Sequence, residues 1–225
     1  MNSQRLSVPD AIRARRTVRH YRPDPVPAAL LEELLELAVE APSAWNMQDR
    51  SIVVVTGETG REGLSWAAGG QPQPAEAPVC LVFVAEPEAW REDHADVAER
   101  AADAGAWNAE FAAMFDSRAE FHHLAERGLL RENAVKNAMI SATYVMLAAA
   151  SMGLASAPMN GWDPAKVKKV VGLGDRDDLA IAVLVTIGYP AGPVPHPGRR
   201  PVARNVFFEQ YPNGGGSRMT RATDR

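Results

Sequence analysis

Three apolar runs rich in β-branched residues, at 51–56, 78–85 and 179–187, constrain this chain more than any other feature. Runs of this length read as strands, and their lack of polar alternation reads as burial on both faces. Such a sheet needs helices to cover it. The sequence supplies them. At 28–41, Leu30, Leu31, Leu34, Leu35 and Ala38 form one helical face, opposed by Glu32, Glu33, Glu36 and Glu40, and Pro42 ends the helix. A second long helix, 132–152, is apolar on nearly all sides, which predicts a core helix or a helix at a subunit interface. With 225 residues, 46% of them hydrophobic and 23% charged, the chain suits one substantial globular domain. We expect that domain over residues 1–212, with 213–225 as a disordered tail after Gly214, Gly215 and Gly216.

The punctuation between these elements is equally readable. Ser7 reads as the N-cap of a short helix with Pro9 in its first turn, ending near Arg15 and followed by extended chain over 17–22. Gly153 closes the second long helix, and Asp163 with Pro164 opens another. A short helix is predicted at 61–68, a Gly/Pro/Gln stretch follows at 69–78, and 87–128 reads as helices with at least one break.

Four segments carry residues suited to chemistry. Arg15, Arg16, Thr17 and Arg19 cluster where helix gives way to extended chain, and Thr17 and Arg19 share a side because extended side chains repeat every two residues. Guanidiniums suit phosphate because their planar fork donates paired hydrogen bonds; a solvated basic face aided by the helix dipole fits the same residues. The loop 41–48 presents Ser43, Asn46 and Gln48, whose amides and hydroxyl suit the mixed edge of a flavin or nucleobase, or simply the backbone bonding of a helix-to-strand turn. At 158–161, Pro158, Met159, Asn160 and Gly161 precede a helix start, where a residue without Cβ admits close approach of a ligand. Arg199 and Arg200 form a late basic pair.

Other chemistries lack their signatures. Cys80, the single cysteine, lies within an apolar run and reads as a small core residue. The five histidines lack metal-ligand spacing, and adjacent His122 and His123 read as an exposed helical pair. No nucleophile elbow, phosphate-binding glycine loop or dinucleotide fingerprint occurs, which points to borrowed cofactor chemistry. A net charge of −4 gives no support to nucleic-acid binding. Without an apolar leader or a long apolar stretch, a cytoplasmic location is the expectation, with no membrane partner.

The order RRTVRHY, a leucine-rich helix, APSAWNMQ, PMNGWDP, GYP and RRP resembles the nitroreductase family over about residues 10–210. Its APSAWN and PMNGWD forms are most similar to bacterial NAD(P)H nitroreductases and quinone reductases. The resemblance implies an α+β fold with a central mixed, mostly antiparallel sheet flanked by helices, in an intertwined homodimer with FMN at the interface. It implies that Arg15, Arg19 and Arg199 meet the FMN phosphate, with Arg16 and Thr17 at the phosphate or the ring edge. Ser43 and Asn46 would reach the FMN of the partner subunit, and Gln48 would also contact the cofactor. Gln73 would reach the flavin's polar edge or ribityl chain. Pro158, Met159, Asn160 and Gly161 would pass over the ring with a backbone N–H of Asn160 or Gly161 aimed at N5, and no catalytic side chain or metal is implied.

The implied activity is ping-pong hydride transfer from NADH or NADPH through FMN to a nitroaromatic or quinone. Dehalogenation, enoate reduction, flavin breakdown and non-enzymatic flavin sequestration are the alternatives. The chain departs from the family pattern at Asp49 and Arg50, where many members carry an aromatic, at Asn160, where some have glutamate or glycine, and at Pro197, where a lysine sometimes stands.

Overall fold

The structure, a computed structural model, describes residues 5–211. They form two compact units, one reaching Val194 and the other starting at Pro195. The tail expected at 213–225 lies outside the described residues.

In the larger unit, helix α1 (Val8–Ala14) starts where Ser7 Oγ accepts the Asp10 N–H at 3.3 Å, which satisfies one of the unpaired donors of the first turn. Helix α2 (Ala28–Val39) buries Leu34 and Ala38 and turns its glutamates outward. Strand β1 (Arg50–Val55), helices α3 (Glu58–Ala67) and α4 (Gln73–Glu76), and strand β2 (Val79–Ala85) follow. Helices α5 (Ala95–Asp103), α6 (Ala109–Ser117) and α7 (Ala119–Glu126) occupy the excursion before the long helix α8 (Leu130–Ser151). Strand β3 (Ala155–Met159), helix α9 (Pro164–Val170) and strand β4 (Ala180–Gly188) complete the unit. The fold is therefore α+β. The expected strands and long helices are present, and the one element not foreseen in the 69–78 stretch is α4.

The sheet has the order β1-β2-β4-β3, with every strand pair antiparallel and one isolated parallel bridge between Thr17 and Ser156. Its two central strands, β2 and β4, are buried throughout, as their unbroken apolar sequences require. Along β2 the side chains alternate between two cores. Val79, Leu81, Phe83 and Ala85 pack towards α2 and α8, whereas Cys80, Val82 and Val84 face the side of α3 and α9. Burial in this second core pushes the Cys80 thiol up to about 12, where it is an inert packing residue.

Strand β4 breaks that alternation once. Phe83 pairs with Val183 but Val84 pairs with Ile181, so Ala182 is an extra residue in the ladder. The bulge lets Ala180 and Ala182 share a face with Val183, Val185 and Ile187. Helix α8 meets this face through Ala134, Ala138, Ala142, Val145 and Ala149, mostly methyl groups that let helix and sheet approach closely. Its opposite side leaves Ile140 and Tyr144 exposed. Separately, Met47, Trp90, Val97, Phe115, Phe121 and Leu130 make a small aromatic core under α5–α7. In the smaller unit, helix α10 (Val202–Asn205) is followed by an edge contact between Phe207 and Tyr211, 5.1 Å between ring centres.

Candidate functional site

The arginine segment leaves α1 and runs beside β3. Val18 donates its N–H to the Ser156 carbonyl at 3.2 Å and buries its side chain, so Thr17 and Arg19 face outward together. That is the two-residue repeat expected of extended chain. Tyr21 anchors the far end, its hydroxyl 2.8 Å from Thr186 Oγ1, while Glu76 accepts the Tyr21 N–H at 3.1 Å. Arg15 and Arg16 line a pocket of about 230 Å³ with Ala150, Gly153, Ser156 and Pro190. Arg16 Nη1 folds back to donate to the carbonyls of Arg13, Ala14 and Arg15 at 2.6, 3.0 and 2.9 Å. Its charge thereby caps the negative end of α1. The structure thus gives Arg16 a local role and leaves Arg15 in the pocket wall and Arg19 on the outer side.

At the other end of β3 the chain turns through Asn160 and Gly161, both exposed. Met159 is buried in the core, so only its backbone serves this loop; Pro158 is half-buried and pairs with Val185. Three hydrogen bonds fix the turn: Trp162 Nε1 to the Met159 carbonyl at 2.7 Å, the Asp163 N–H to the Ala67 carbonyl at 2.9 Å, and Gln71 Nε2 to the Gly161 carbonyl at 2.9 Å. A Cβ at Gly161 would stand 3.0 Å from Gln71 Nε2. Gln71 itself is held by donation from Nε2 to the Ala68 carbonyl at 3.1 Å and from Ser65 Oγ to its own carbonyl at 2.7 Å. Gln73, the residue singled out from sequence, is buried at the start of α4, its Oε1 shut from solvent without a hydrogen-bond partner among the described residues. The contact to Gly161 belongs to its neighbour two positions earlier. The signal for Gln71 was its position just after Gly69 and Gly70, whose positive φ angles of 70° and 81° turn the chain back towards the loop.

The third group is the 41–48 loop. Three non-glycine residues here are left-handed, Trp45 at φ 57°, Asn46 at 51° and Gln48 at 54°. Each such residue costs on the order of 1 kcal/mol, most for the bulky Trp45. The surroundings offset that cost. Ser43 Oγ accepts the Gln48 N–H at 2.8 Å, its carbonyl accepts the Asn46 N–H at 3.0 Å, and Met47 is buried in the aromatic core. Trp45 stacks on Phe111 with ring centres 5.2 Å apart. Asn46 and Gln48 are exposed, and Ser43 is half-buried.

From α8, Asn137 holds both ends of this loop: its Oδ1 accepts the Ala44 N–H at 3.2 Å and its Nδ2 donates to Asp49 Oδ1 at 2.8 Å. Arg50 reaches back to the Ala41 and Val39 carbonyls at 2.5 and 3.2 Å. Burial pushes the Asp49 carboxyl above the usual carboxylate range, partly countered by its hydrogen bond from Asn137. With a raised folded pKa, the stabilisation linked to this group is greatest at low pH and is lost as pH rises through that pKa.

Two of these groups stand far apart along α8 within one chain. Arg15 and Arg16 stand beside Ala150 at the C-terminal end of α8, whereas the 41–48 loop hangs from Asn137. Thirteen residues at a 1.5 Å rise separate those anchors by about 20 Å along the helix. Arg199 lies in the smaller unit, its Nη1 donating to the Gly198 carbonyl at 2.7 Å.

The chain matches the model of the nitroreductase family over residues 12–189. It is 36% identical over 203 residues to an NADH dehydrogenase of Thermus thermophilus, covering 90% of this chain and 96% of that protein. Its fold resembles a nitroreductase family protein of Streptococcus pneumoniae, with a TM-score of 0.72 at 24% identity over 89% of this chain and 99% of that one. It also resembles a protein of Exiguobacterium sibiricum crystallised in complex with FMN, with a TM-score of 0.81 at 18% identity over 93% of this chain and 100% of that one.

Proposed function

The chain belongs to the nitroreductase family, and on that premise we propose that it is an FMN-dependent NAD(P)H oxidoreductase that reduces nitroaromatics or quinones as a cytoplasmic homodimer. The observation that carries this reading is the turn at 160–161. It is exposed, offers backbone N–H groups, lacks a Cβ at Gly161, and is fixed by Gln71 and Trp162. A flat ring can approach such a backbone closely. At the other end of β3, Arg15 lines a pocket and Arg19 faces outward with Thr17, a donor set that suits a phosphate. These residues fit FMN, which when bound supplies hydride acceptance from a nicotinamide and electron delivery to the acceptor.

The protein's own contribution is placement. Arg15, Thr17 and Arg19 would hold the phosphate, and the rigid 158–161 turn would orient the ring. Pro158, Met159, Asn160 and Gly161 include no titratable side chain, which supports a cycle in which solvent supplies protons and no side chain acts as an indispensable acid or base.

Ser43, Asn46 and Gln48 would join the site from a second copy. The 20 Å estimated along α8 between Asn137 and Ala150 separates the two groups in one protomer. Two α8 helices packed antiparallel about a two-fold axis would bring the loop of one beside the arginines of the other. Exposed Ile140 and Tyr144 provide an apolar strip for that packing. Among the described residues no helix is long and apolar enough to cross a membrane.

The test is the visible spectrum of the purified protein under anaerobic conditions. We expect a flavin band that NADH or NADPH bleaches and that a quinone or nitroaromatic restores. A flavin band indifferent to both nicotinamides would favour sequestration, and a colourless protein that takes up no FMN would overturn the reading.

A further inference from the structure

Helix α8 buries methyl groups along its sheet-facing side, and Asn137 interrupts that pattern with a side chain only 4% exposed. Both ends of its amide are used on one target. Oδ1 accepts from Ala44 at the start of the left-handed loop, and Nδ2 donates to Asp49 just past its end. Asp49 is itself buried, and its second oxygen lies 3.5 Å from Asn133 Nδ2, one helical turn before Asn137. The neighbouring Arg50 guanidinium is directed to the carbonyls of Ala41 and Val39, on the other side of the loop. A buried carboxylate held by amides is an expensive way to join a loop to a helix, since an apolar contact would need no partner. What the polar arrangement adds is geometry: two directional bonds fix the two ends of the loop relative to each other.

We propose that Asn137, together with Asp49, is a positioning pair that locks the 43–48 loop in its left-handed shape and thereby sets the affinity with which the partner's flavin is held. The second half of this statement rests on the proposed function, in which Ser43, Asn46 and Gln48 face that flavin. The first half does not. Neither residue touches the cofactor. Both act through the loop, whose backbone would relax towards ordinary right-handed or extended angles once its ends are released.

The experiment combines hydrogen exchange on the flavin-free protein with FMN titration followed by fluorescence. In Asn137→Leu the Ala44 N–H and Asp49 Oδ1 lose their hydrogen bonds to Asn137, while Asp49 Oδ2 keeps its longer contact with Asn133. Exchange in 43–48 is expected to rise about tenfold, with the peptides of β2 and β4 unchanged, and the FMN dissociation constant to rise about tenfold. Asn137→Ser, smaller and still polar, replaces it if Asn137→Leu does not fold. Asp49→Asn keeps an acceptor for Asn137 and is expected to stay within about twofold of the parent in both measurements. Unchanged loop exchange in a folded Asn137 variant would overturn the clamp. Faster exchange with unchanged FMN affinity would overturn its effect on the flavin. A parent protein that binds no FMN would instead defeat the proposed function, while the exchange data would still judge the clamp.

Discussion

At the scale of single residues, Gly161 separates what the fold needs from what the site needs. Its backbone is not in the left-handed region, and the atom an added Cβ would crowd, at 3.0 Å, is the far end of the flexible Gln71 side chain. Gly161→Ala should therefore cost less than about 1 kcal/mol of stability, because Gln71 can swing aside into solvent. The same swing surrenders the hydrogen bond that fixes the Gly161 carbonyl, and the new methyl projects where a planar ring would approach. FMN affinity is expected to fall about tenfold while the unfolding midpoint moves little. Equal loss of both, measured by titration and thermal melting, would show that Gly161 is a packing residue. Gln71 and Asn137 illustrate why such residues resist reading from sequence. Their partners lie 90 and 88 positions away; the Gly69–Gly70 pair marks a turn before Gln71, but nothing local names the partner of either residue. Arg16 shows the converse: a cation at the end of a short helix was legible, and the carbonyls within three residues claimed it.

At the scale of elements, reading succeeded wherever local chemistry decides the outcome. Ser7 and Asp163 cap their helices as their types demand, and the buried strands follow the unbroken apolar runs. Helix α4 was missed because a four-residue turn with Pro72 before it and Pro74 inside it has no periodicity to display. The bulge at Ala182 was hidden for a related reason, since in an all-apolar strand a shift of phase leaves no mark on the pattern. Helix α8 makes its own prediction. Ala142 is fully buried where the helix lies on the sheet, so Ala142→Leu has to push helix and strands apart or adopt a strained rotamer. A destabilisation of about 1–3 kcal/mol is expected, read as a lower denaturant midpoint. A neutral result would mean that the helix–sheet layer has unused space.

At the scale of the whole molecule, the resemblance to the nitroreductase family was legible from short motifs in order, and the family match over residues 12–189 bears it out. The way those motifs combine into a site was not legible, because it depends on where a single long helix carries them. With the arginines at one end of α8 and the 41–48 loop on Asn137, the account predicts that each flavin is held by Arg15 of one chain and Asn46 of the other. Mixing two defective variants tests this directly. Arg15→Ala and Asn46→Ala homodimers should each retain FMN poorly. In a heterodimer of the two, one site collects both defects and the other has neither, so the account predicts recovery of one intact flavin site per heterodimer, with half the parental flavin content. If the site lay within a single chain, every site would keep one defect, and mixing would restore no flavin binding.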